Sequence, residues 1–404
     1  MTRLHTRLRR GAAAAMAAGL LVVSVSAESA YAQPNPAPAA TSSPSPASSD
    51  FPQLTPAVAK QLDKAVTQVM REANVPGVTV GLWAPGKGSY VRAFGVADKA
   101  TGAPMSTGLN MRIGSETKTF TVTALLKLVD QGKVGLDDPI GKYVGGVPNG
   151  DRITLRELAG MRSGLFNYSM DPGFFKALTT NPRRPFTPQE LLGYSFKHPV
   201  LFQPGEKFYY CNTNLILLGL VVEKVSGQSL AEYIRQTVLE PAGLHHTLFP
   251  KGAEFPTPHA HGYTDQTATG KTEDSTDWNP SWGWAAGAMI SDQNDLRTWA
   301  RILATGSLLT PATQAQRLKF SPSGLPETGY GLGIFSVAGW IGHNGSLPGY
   351  ESLVVYLPES KATLVVLLNT DINYKGSEPS TLFGQAITSI VTPHHIFKLP
   401  AQPA

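Results

Sequence analysis

Strand-like segments occur at both ends of this sequence, and a long stretch without them lies between. They are rich in β-branched and aromatic residues and cover residues 78–83 and 90–96 near one end, and 330–335, 352–357 and 363–368 near the other. Gly86-Lys87-Gly88 joins the first two, which is typical of a hairpin. Because strands are stable only when they pair and pack, the two groups predict one antiparallel sheet formed from both chain ends.

Helical patterns surround these strands. Apolar residues recur at helical spacing over residues 56–73, 115–131 and 381–390, and Gly132 ends the second of these segments. Residues 135–285 have a helical and irregular character, so we expect them to form an inserted, mainly helical lobe. The predicted fold class is α/β of the α+β type, with an antiparallel sheet flanked by helices and a pocket between sheet and lobe.

The first 32 residues have the three parts of a secretory signal peptide. A basic head with four arginines precedes an apolar stretch over residues 12–25, and the small-x-small sequence Ala30-Tyr31-Ala32 follows. This stretch is shorter than the roughly 20 residues of a membrane-spanning helix. We therefore expect cleavage near Ala32, export to the periplasm, cell wall or medium of a bacterium, and no membrane span after cleavage. Arg9-Arg10 leaves the general secretory and twin-arginine routes both open.

Composition then bounds what the rest of the chain does. Residues 33–50 are mostly Pro, Ala and Ser and predict an extended linker, so the folded domain is expected over residues 51–404. The chain has a formal charge of +5, but residues 1–32 hold four Arg and one Glu, a net +3, which leaves +2. So small a charge does not support nucleic-acid binding. The single cysteine, Cys211, excludes an internal disulfide.

A candidate nucleophile lies in the sequence Gly114-Ser115-Glu116-Thr117-Lys118. Ser and Lys three residues apart on a helix share one face, about one turn from each other. A serine hydroxyl needs a neighbour to take its proton, and a lysine can do so when burial or nearby charge lowers its pKa. The alternative is a structural one, in which Ser115 caps the helix and Lys118 is solvated. The four-residue motif alone favours that alternative.

Two later motifs change this balance. Tyr210-Cys211-Asn212 is a Tyr-x-Asn sequence, and His343-Asn344-Gly345 is a His-x-Gly sequence directly before the last predicted strand pair. The order Ser-x-x-Lys, Tyr-x-Asn, His-x-Gly resembles the penicillin-recognising serine hydrolases, in the branch of the class C β-lactamases, serine DD-carboxypeptidases and related esterases. Together with flanking sequence the resemblance covers residues 75–369, and it implies a β-lactamase/transpeptidase-like fold.

The resemblance implies a catalytic role for four residues. Ser115 attacks the carbonyl, and Lys118 accepts or relays its proton. Tyr210 exchanges a proton with the leaving group, for which nearby cations would need to lower the pKa of its phenol. His343 helps to set the local charge and the proton network.

The resemblance also implies how the substrate is held. Asn212 would hydrogen-bond to the substrate amide, and Gly345 would leave room for the substrate at the strand edge. The backbone N–H groups of Ser115 and Ser346 would form an oxyanion hole, since fixed donors best stabilise a charge that develops in a dry pocket. Trp284, in the aromatic run with Trp278 and Trp282, is a further candidate for the cleft, although such aromatics are as often core residues.

Two features depart from the family pattern. Cys211 stands where serine is more common, and we interpret its thiol as a packing group. Residues 330–335 contain no Arg or Lys, although the carboxypeptidase branch has an arginine there to bind the terminal carboxylate of D-Ala-D-Ala. This leaves room for ester, amide or lactam substrates.

Three functions therefore remain open. The first is hydrolysis of a D-amino-acid peptide of the peptidoglycan type or of a small ester through an acyl-enzyme at Ser115. The second is a β-lactamase, which would act on β-lactams. The third is a non-catalytic wall-associated binding protein, which retention of all the motif residues argues against. No cofactor is expected, and His245-His246 and His259-x-His261 lack a metal-site pattern, so no metal is expected either.

Overall fold

The fold is described from a computed structural model, which describes residues 51–400. The predicted signal peptide, the linker and the last four residues lie outside the described residues. No helix among residues 51–400 is long and apolar enough to cross a membrane.

An eight-stranded antiparallel sheet forms the centre of the molecule. The strands of the chain are β1 Gly77–Ala84, β2 Gly88–Gly95, β3 Met111–Arg112, β4 Tyr263–Thr264, β5 Glu273–Asp274, β6 Ile290–Ser291, β7 Ser321–Pro322, β8 Thr328–Tyr330, β9 Phe335–Val337, β10 Trp340–Leu347, β11 Tyr350–Leu357 and β12 Ala362–Leu368. The order in the large sheet is β2-β1-β12-β11-β10-β9-β8-β7, while β3 pairs with β6 and β4 with β5. The central pairing joins the two ends of the chain, with Val78 opposite Leu368. The predicted sheet is thereby confirmed.

Helices cover both faces of this sheet. They are α1 Pro56–Glu72, α2 Thr117–Asp130, α3 Leu155–Ala159, α4 Pro172–Thr180, α5 Pro188–Phe196, α6 Asn212–Ser226, α7 Leu230–Ile234, α8 Glu240–Ala242, α9 Trp284–Gly287, α10 Gln293–Thr305, α11 Pro311–Arg317 and α12 Pro379–Val391. The helices α1 and α12 pack together on one face, where Tyr90 Oη donates a hydrogen bond to Asp63 on α1. The opposite face of β1 carries Trp83, which contacts α10.

Residues between β3 and β7 contribute no strand to the large sheet in the described part of the chain. They form α2 to α11, short 3-10 and π-helical turns, the strand β6, which pairs with β3, and the small β4–β5 hairpin. The long helices α2 and α6 pack against each other, and apolar residues of α6 from Leu215 to Leu218 are fully buried. This arrangement places a mainly helical layer against the part of the sheet that carries β10.

One prediction about strands needs correction, and one strand was not predicted. Residues 330–335 were expected to form one strand, but β8 ends at Tyr330 and β9 begins at Phe335, because Gly333 turns the chain with a φ of +70°. The His-x-Gly sequence stands directly before the final strand pair, as expected, and it lies in a strand of its own, β10, whose residue His343 is paired with Val354 of β11. Beyond β10, which carries the His-x-Gly motif, the sheet continues with β9, β8 and β7.

Candidate active site

Ser115 lies in a single 3-10 turn, Gly114–Glu116, that leads directly into α2. The helix itself begins at Thr117, two residues later than the sequence pattern predicts. Lys118 is completely buried, and its Nζ donates hydrogen bonds of 2.8 Å to Ser115 Oγ and to the carbonyl oxygen of Ala286. The alternative of a helix cap followed by a solvated lysine is therefore wrong.

Burial controls the protonation of Lys118. Loss of hydration holds the pKa of its amine well below the usual lysine range, although the neighbouring Cys211 and Glu116 oppose the shift. The salt bridges of residues 51–400 do not include this amine. A neutral lysine beside a serine hydroxyl can accept the proton that the nucleophile must lose. The geometry thus meets the chemical requirement that the sequence spacing only suggested.

Glu116 is a buried acid that the sequence analysis did not single out. Its side chain is fully buried, and neither carboxyl oxygen has a hydrogen-bond partner among the described residues. Burial raises its pKa well above the usual range, while the backbone of Val354 and the amine of Lys118 act in the opposite direction. Burial thus favours the neutral form of Glu116, and the neighbouring amine of Lys118 favours its charged form. The only signal in the sequence is an acid directly after the nucleophile.

Tyr210 borders the same site from the N-terminal end of α6. Its ring centroid lies 4.9 Å from Lys118 Nζ, and its hydroxyl is buried without a hydrogen-bond partner among residues 51–400. Burial raises the pKa of this phenol, and the nearby Ser115 hydroxyl opposes the shift without reversing it. The expectation of a lowered pKa is therefore not met. A phenol with a raised pKa is a weak acid, so it can pass a proton to a leaving group only when another group returns one to it.

His343 reaches the site from β10. Its Nδ1 donates to the backbone oxygen of Asn344 at 2.5 Å, which leaves Nε2 as an acceptor for Tyr330 Oη at 3.1 Å. Burial and the nearby Lys118 lower the pKa of His343 to about 3. The imidazole is thus neutral and supplies no positive charge, contrary to the expectation that it sets the local charge. Tyr330 was missed as a site residue because its contact with His343 joins β8 to β10, which are separated in the chain by β9.

Two glycines bring the nucleophile turn and β10 into close contact. A Cβ on Gly114, whose φ is +51°, would lie 2.7 Å from the backbone nitrogen of Ser346. A Cβ on Gly345 would lie 2.0 Å from the carbonyl oxygen of Ile113. Gly345 is therefore required by the approach of another backbone segment, and the idea that it also leaves room for substrate stays a prediction.

This approach sets the geometry of the predicted oxyanion hole. The backbone nitrogen of Ser346 lies beside Gly114 and hence beside the turn that carries Ser115. On its other side, β10 pairs with β9 only over Trp340–Gly342, so residues 343–347 have a free strand edge within the described chain. Backbone donors next to a free edge can bind a carbonyl oxygen and the chain that carries it.

Three further residues were singled out in the sequence: Asn212, Trp284 and Cys211. Asn212 opens α6 two residues after Tyr210, and its Nδ2 donates to Ser169 Oγ at 3.1 Å. Trp284 packs its ring against Gly219, two turns further along α6, which is a packing contact and gives no argument for substrate binding. Cys211 is 1% exposed and burial raises the pKa of its thiol to about 11, as expected for a packing group.

One group of side chains in the described chain has the composition of a metal site. His246, Asp292 and Asp295 place ligand atoms within 4.8 Å of one another. Both carboxylates already have protein partners: Asp292 caps α10 and bonds to His246 Nδ1, and Asp295 accepts from the His246 backbone and from Thr247. Satisfied carboxylates at a helix start have a structural explanation.

The fold and these motifs define a class of protein. The chain belongs to the β-lactamase family of serine hydrolases, whose family model matches residues 62–380. The fold prediction and the resemblance stated from sequence are both confirmed.

Individual relatives narrow the comparison. A D-stereospecific amidohydrolase from Streptomyces sp. has a similar structure, with a TM-score of 0.72, 29% identity, and coverage of 83% of this chain and 98% of that one. A D-amino acid amidase from Ochrobactrum anthropi SV3, complexed with D-phenylalanine, gives a TM-score of 0.73 at 26% identity over the same shares. Protein flp of Staphylococcus aureus is 27% identical over 78% of this chain, which spans 64% of the length of flp.

Proposed function

We propose that this protein hydrolyses the amide or ester bond of a D-amino acid derivative through an acyl-enzyme on Ser115. The observation that carries the proposal is the 2.8 Å hydrogen bond between Lys118 Nζ and Ser115 Oγ, made by a fully buried lysine. Similarity to a D-stereospecific amidohydrolase and to a D-amino acid amidase supports the choice of substrate class. Peptides of the peptidoglycan type, which end in D-residues, are members of that class.

The proposed reaction proceeds in two half-reactions. As Ser115 Oγ bonds to the carbonyl carbon, its proton passes to the neutral amine of Lys118. The N–H groups of Ser115 and Ser346 stabilise the tetrahedral oxyanion. The bond to the leaving group then breaks, and that group takes a proton from Tyr210 Oη; this proton is replaced by the one that Lys118 Nζ took from Ser115. Water attacks the acyl-enzyme by the same steps in reverse and restores the free serine.

The strands β8 and β9, next to the free edge of β10, favour a substrate whose leaving group is uncharged over one that ends in a free carboxylate. Residues 328–337, which form β8, the following turn and β9, contain no Arg or Lys. A terminal carboxylate would therefore find no cation on this strand pair. An amide or ester needs none, so we expect amidated or esterified substrates to be preferred to peptides with a free C-terminus.

A panel of substrates tests the proposal. D- and L-phenylalanine amide, p-nitrophenyl acetate, a D-Ala-D-Ala peptide with and without C-terminal amidation, and nitrocefin would be compared with the wild type and with Ser115→Ala. We expect turnover of the D-amide above that of its L-enantiomer, and none by Ser115→Ala. Preference for nitrocefin would instead favour the β-lactamase alternative, and absence of any turnover would favour the binding-protein alternative.

Covalent labelling separates the nucleophile from the choice of substrate. A fluorophosphonate should add to Ser115 in the wild type, and peptide mass spectrometry should locate the adduct. Labelling of another residue, or normal turnover by Ser115→Ala, would remove the catalytic assignment.

Export forms a second part of the proposal. The signal-peptide pattern supports cleavage after Ala32, with the protein then acting outside the cytoplasm. Sequencing the N-terminus of protein recovered from the culture medium or envelope should find Gln33 first. An intact leader on all of the active protein would contradict the prediction.

A further inference from the structure

A wide groove lies at the end of the sheet where the β1–β2 hairpin and the β11–β12 turn meet α10. Its volume is about 600 Å³. Trp83 and Ser89 line it from the hairpin, Lys361 and Thr363 from the turn and β12, and Arg297 and Arg301 from α10. Nothing in the proposed hydrolysis uses this groove.

Three cations of the groove have no anionic partner. Arg297 and Arg301 are exposed and one turn apart on the same face of α10, and Lys361 is exposed across the groove. Within residues 51–400 none of the three forms a salt bridge or donates a side-chain hydrogen bond, and no acidic residue lines the groove. Elsewhere on the surface, Arg156 and Arg235 are paired with carboxylates. The groove therefore concentrates positive charge that the protein leaves unneutralised.

Trp83 holds one of these cations in a defined position. Its indole is 8% exposed, and the guanidinium carbon of Arg297 lies 4.8 Å from the ring centroid. A guanidinium stacked on an aromatic ring keeps its N–H edge available and loses less freedom when it binds an anion. Ser89 and Thr363 add hydroxyl donors on the same walls. Planar guanidinium edges with hydroxyl donors match the oxygens of phosphate groups.

We propose that this groove binds a ligand that carries several phosphate groups. The required chemistry is a polyanion with closely spaced phosphate oxygens, since three cations face one open cavity. Two sources offer this chemistry: a soluble phosphate chain and the headgroups of an anionic phospholipid surface. The groove would tether the protein to such a polyanion while hydrolysis proceeds elsewhere.

The groove is separated from Ser115 along the strands. Thr363 is opposite Tyr356, and Tyr356 is opposite Ile341 on β10. Ile341 is five residues before Ser346 on the same strand, a separation of about 16 Å at roughly 3.3 Å per residue. Substitutions in the groove should therefore leave the hydrolytic site intact.

Two charge-matched variants test the proposal. The groove variant combines Arg297→Gln, Arg301→Gln and Lys361→Gln. The control combines Lys60→Gln, Lys64→Gln and Arg71→Gln, three exposed positions on α1. The helix α1 packs on the sheet face opposite to Trp83, because Tyr90, which bonds to Asp63 of α1, is paired with Leu82 and not with Trp83. Both variants lose three positive charges, so a difference in their affinity for the ligand shows that the location of the charges matters and not only their number.

Binding of sodium tripolyphosphate would be measured by calorimetry at 50 mM and 200 mM salt. We expect the groove variant to have a Kd for tripolyphosphate about tenfold or more higher than the wild type, because it loses several exposed charge pairs with the ligand. The Kd of the control should equal that of the wild type. Higher salt should weaken binding to the wild type. Hydrolysis of p-nitrophenyl acetate should be equal in all three proteins, which separates this test from that of the proposed function.

Vesicle flotation distinguishes the two sources. Binding to phosphatidylglycerol vesicles but not to phosphatidylcholine, lost only in the groove variant, would identify a lipid surface. Tripolyphosphate binding without vesicle binding would identify a soluble chain. The proposal is overturned if neither probe binds, if both variants weaken binding equally, or if citrate binds as tightly as tripolyphosphate.

Discussion

Replacement of Gly345 by alanine tests whether the close approach of two backbones sets up catalysis. The added Cβ would lie 2.0 Å from the carbonyl oxygen of Ile113 and 2.5 Å from Ser352 Oγ. An ordinary carbon–oxygen contact is about 3.3 Å or longer, so β10 and the segment before Ser115 must separate by about 1 Å. The hydrogen bond from Ser352 Oγ to Ile113, now 3.0 Å, would be strained as well.

The two expected effects differ in size. Forcing a methyl group into a filled space costs about 1–3 kcal/mol of unfolding free energy. A displacement of about 1 Å in catalytic geometry can cost about 100-fold in rate. Because the displaced N–H of Ser346 would act on the oxyanion of the transition state, we expect Gly345→Ala to lower kcat by about 100-fold with little change in KM. Ester hydrolysis and urea unfolding would measure the two quantities.

A control for this experiment is Gly193→Ala on α5. No atom lies within 4 Å of its added Cβ, and alanine in a helix should raise the unfolding free energy by about 0.5–1 kcal/mol. Its kcat should equal that of the wild type. If Gly345→Ala is folded and retains full kcat, the approach of Gly114 and Gly345 does not position the oxyanion donors, and the reasoning fails.

Further variants probe the proton relay. Lys118→Ala and Tyr210→Phe should each lower kcat by about 100-fold, and the double variant by much less than the product of the two; multiplicative losses would show that the two residues act independently. The kcat/KM should fall as pH decreases through the lowered pKa of Lys118, because the ammonium form cannot accept a proton. His343→Gln should not shift the pH of this decrease, because the imidazole is already neutral above its pKa of about 3. In the unfolded chain Lys118 keeps its proton up to about pH 10.5, whereas in the folded chain it loses the proton at a lower pH. Between these two pKa values the unfolded state binds more protons, so the free energy of unfolding should rise with pH. Lys118→Met should remove this pH dependence, as measured by urea unfolding. Cys211→Ser should change kcat by less than about threefold, and the wild-type thiol should resist alkylation in the folded state; rapid labelling would refute its role as a packing group.

Local patterns were sufficient for much of the fold. Strands β11 and β12 are completely buried and mostly apolar, so their sequences specify both type and place within two residues. The segment Gly342-His343-Asn344-Gly345 gave no strand signal, because its two glycines have low strand propensity. These glycines are present because other backbones approach them, and only the folded chain reveals that approach.

The residues of the candidate site likewise fall into those that the sequence predicts and those that only the folded structure reveals. Ser115 and Lys118 could be predicted because their relation is local, one helical turn apart. Glu116 and Tyr330 could not be found, because their importance depends on burial and on contacts between distant segments. The pKa values of Tyr210 and His343 are shifted mainly by burial, which favours the neutral form of each side chain and which the sequence does not display.

The pairing of β1 with β12 has a consequence for how the molecule is made. A ribosome would release Val78 long before its partner Leu368, so the first hairpin must wait without its neighbouring strand while the helical layer emerges. Such a topology has a high contact order, which slows folding and delays closure of the sheet until synthesis is complete. Strand β10, which carries Ser346, also emerges late, so the proposed oxyanion hole cannot form before the C-terminal strands are made. The packing of α1 against α12 also brings both ends of the domain together, which makes it a good candidate for circular permutation.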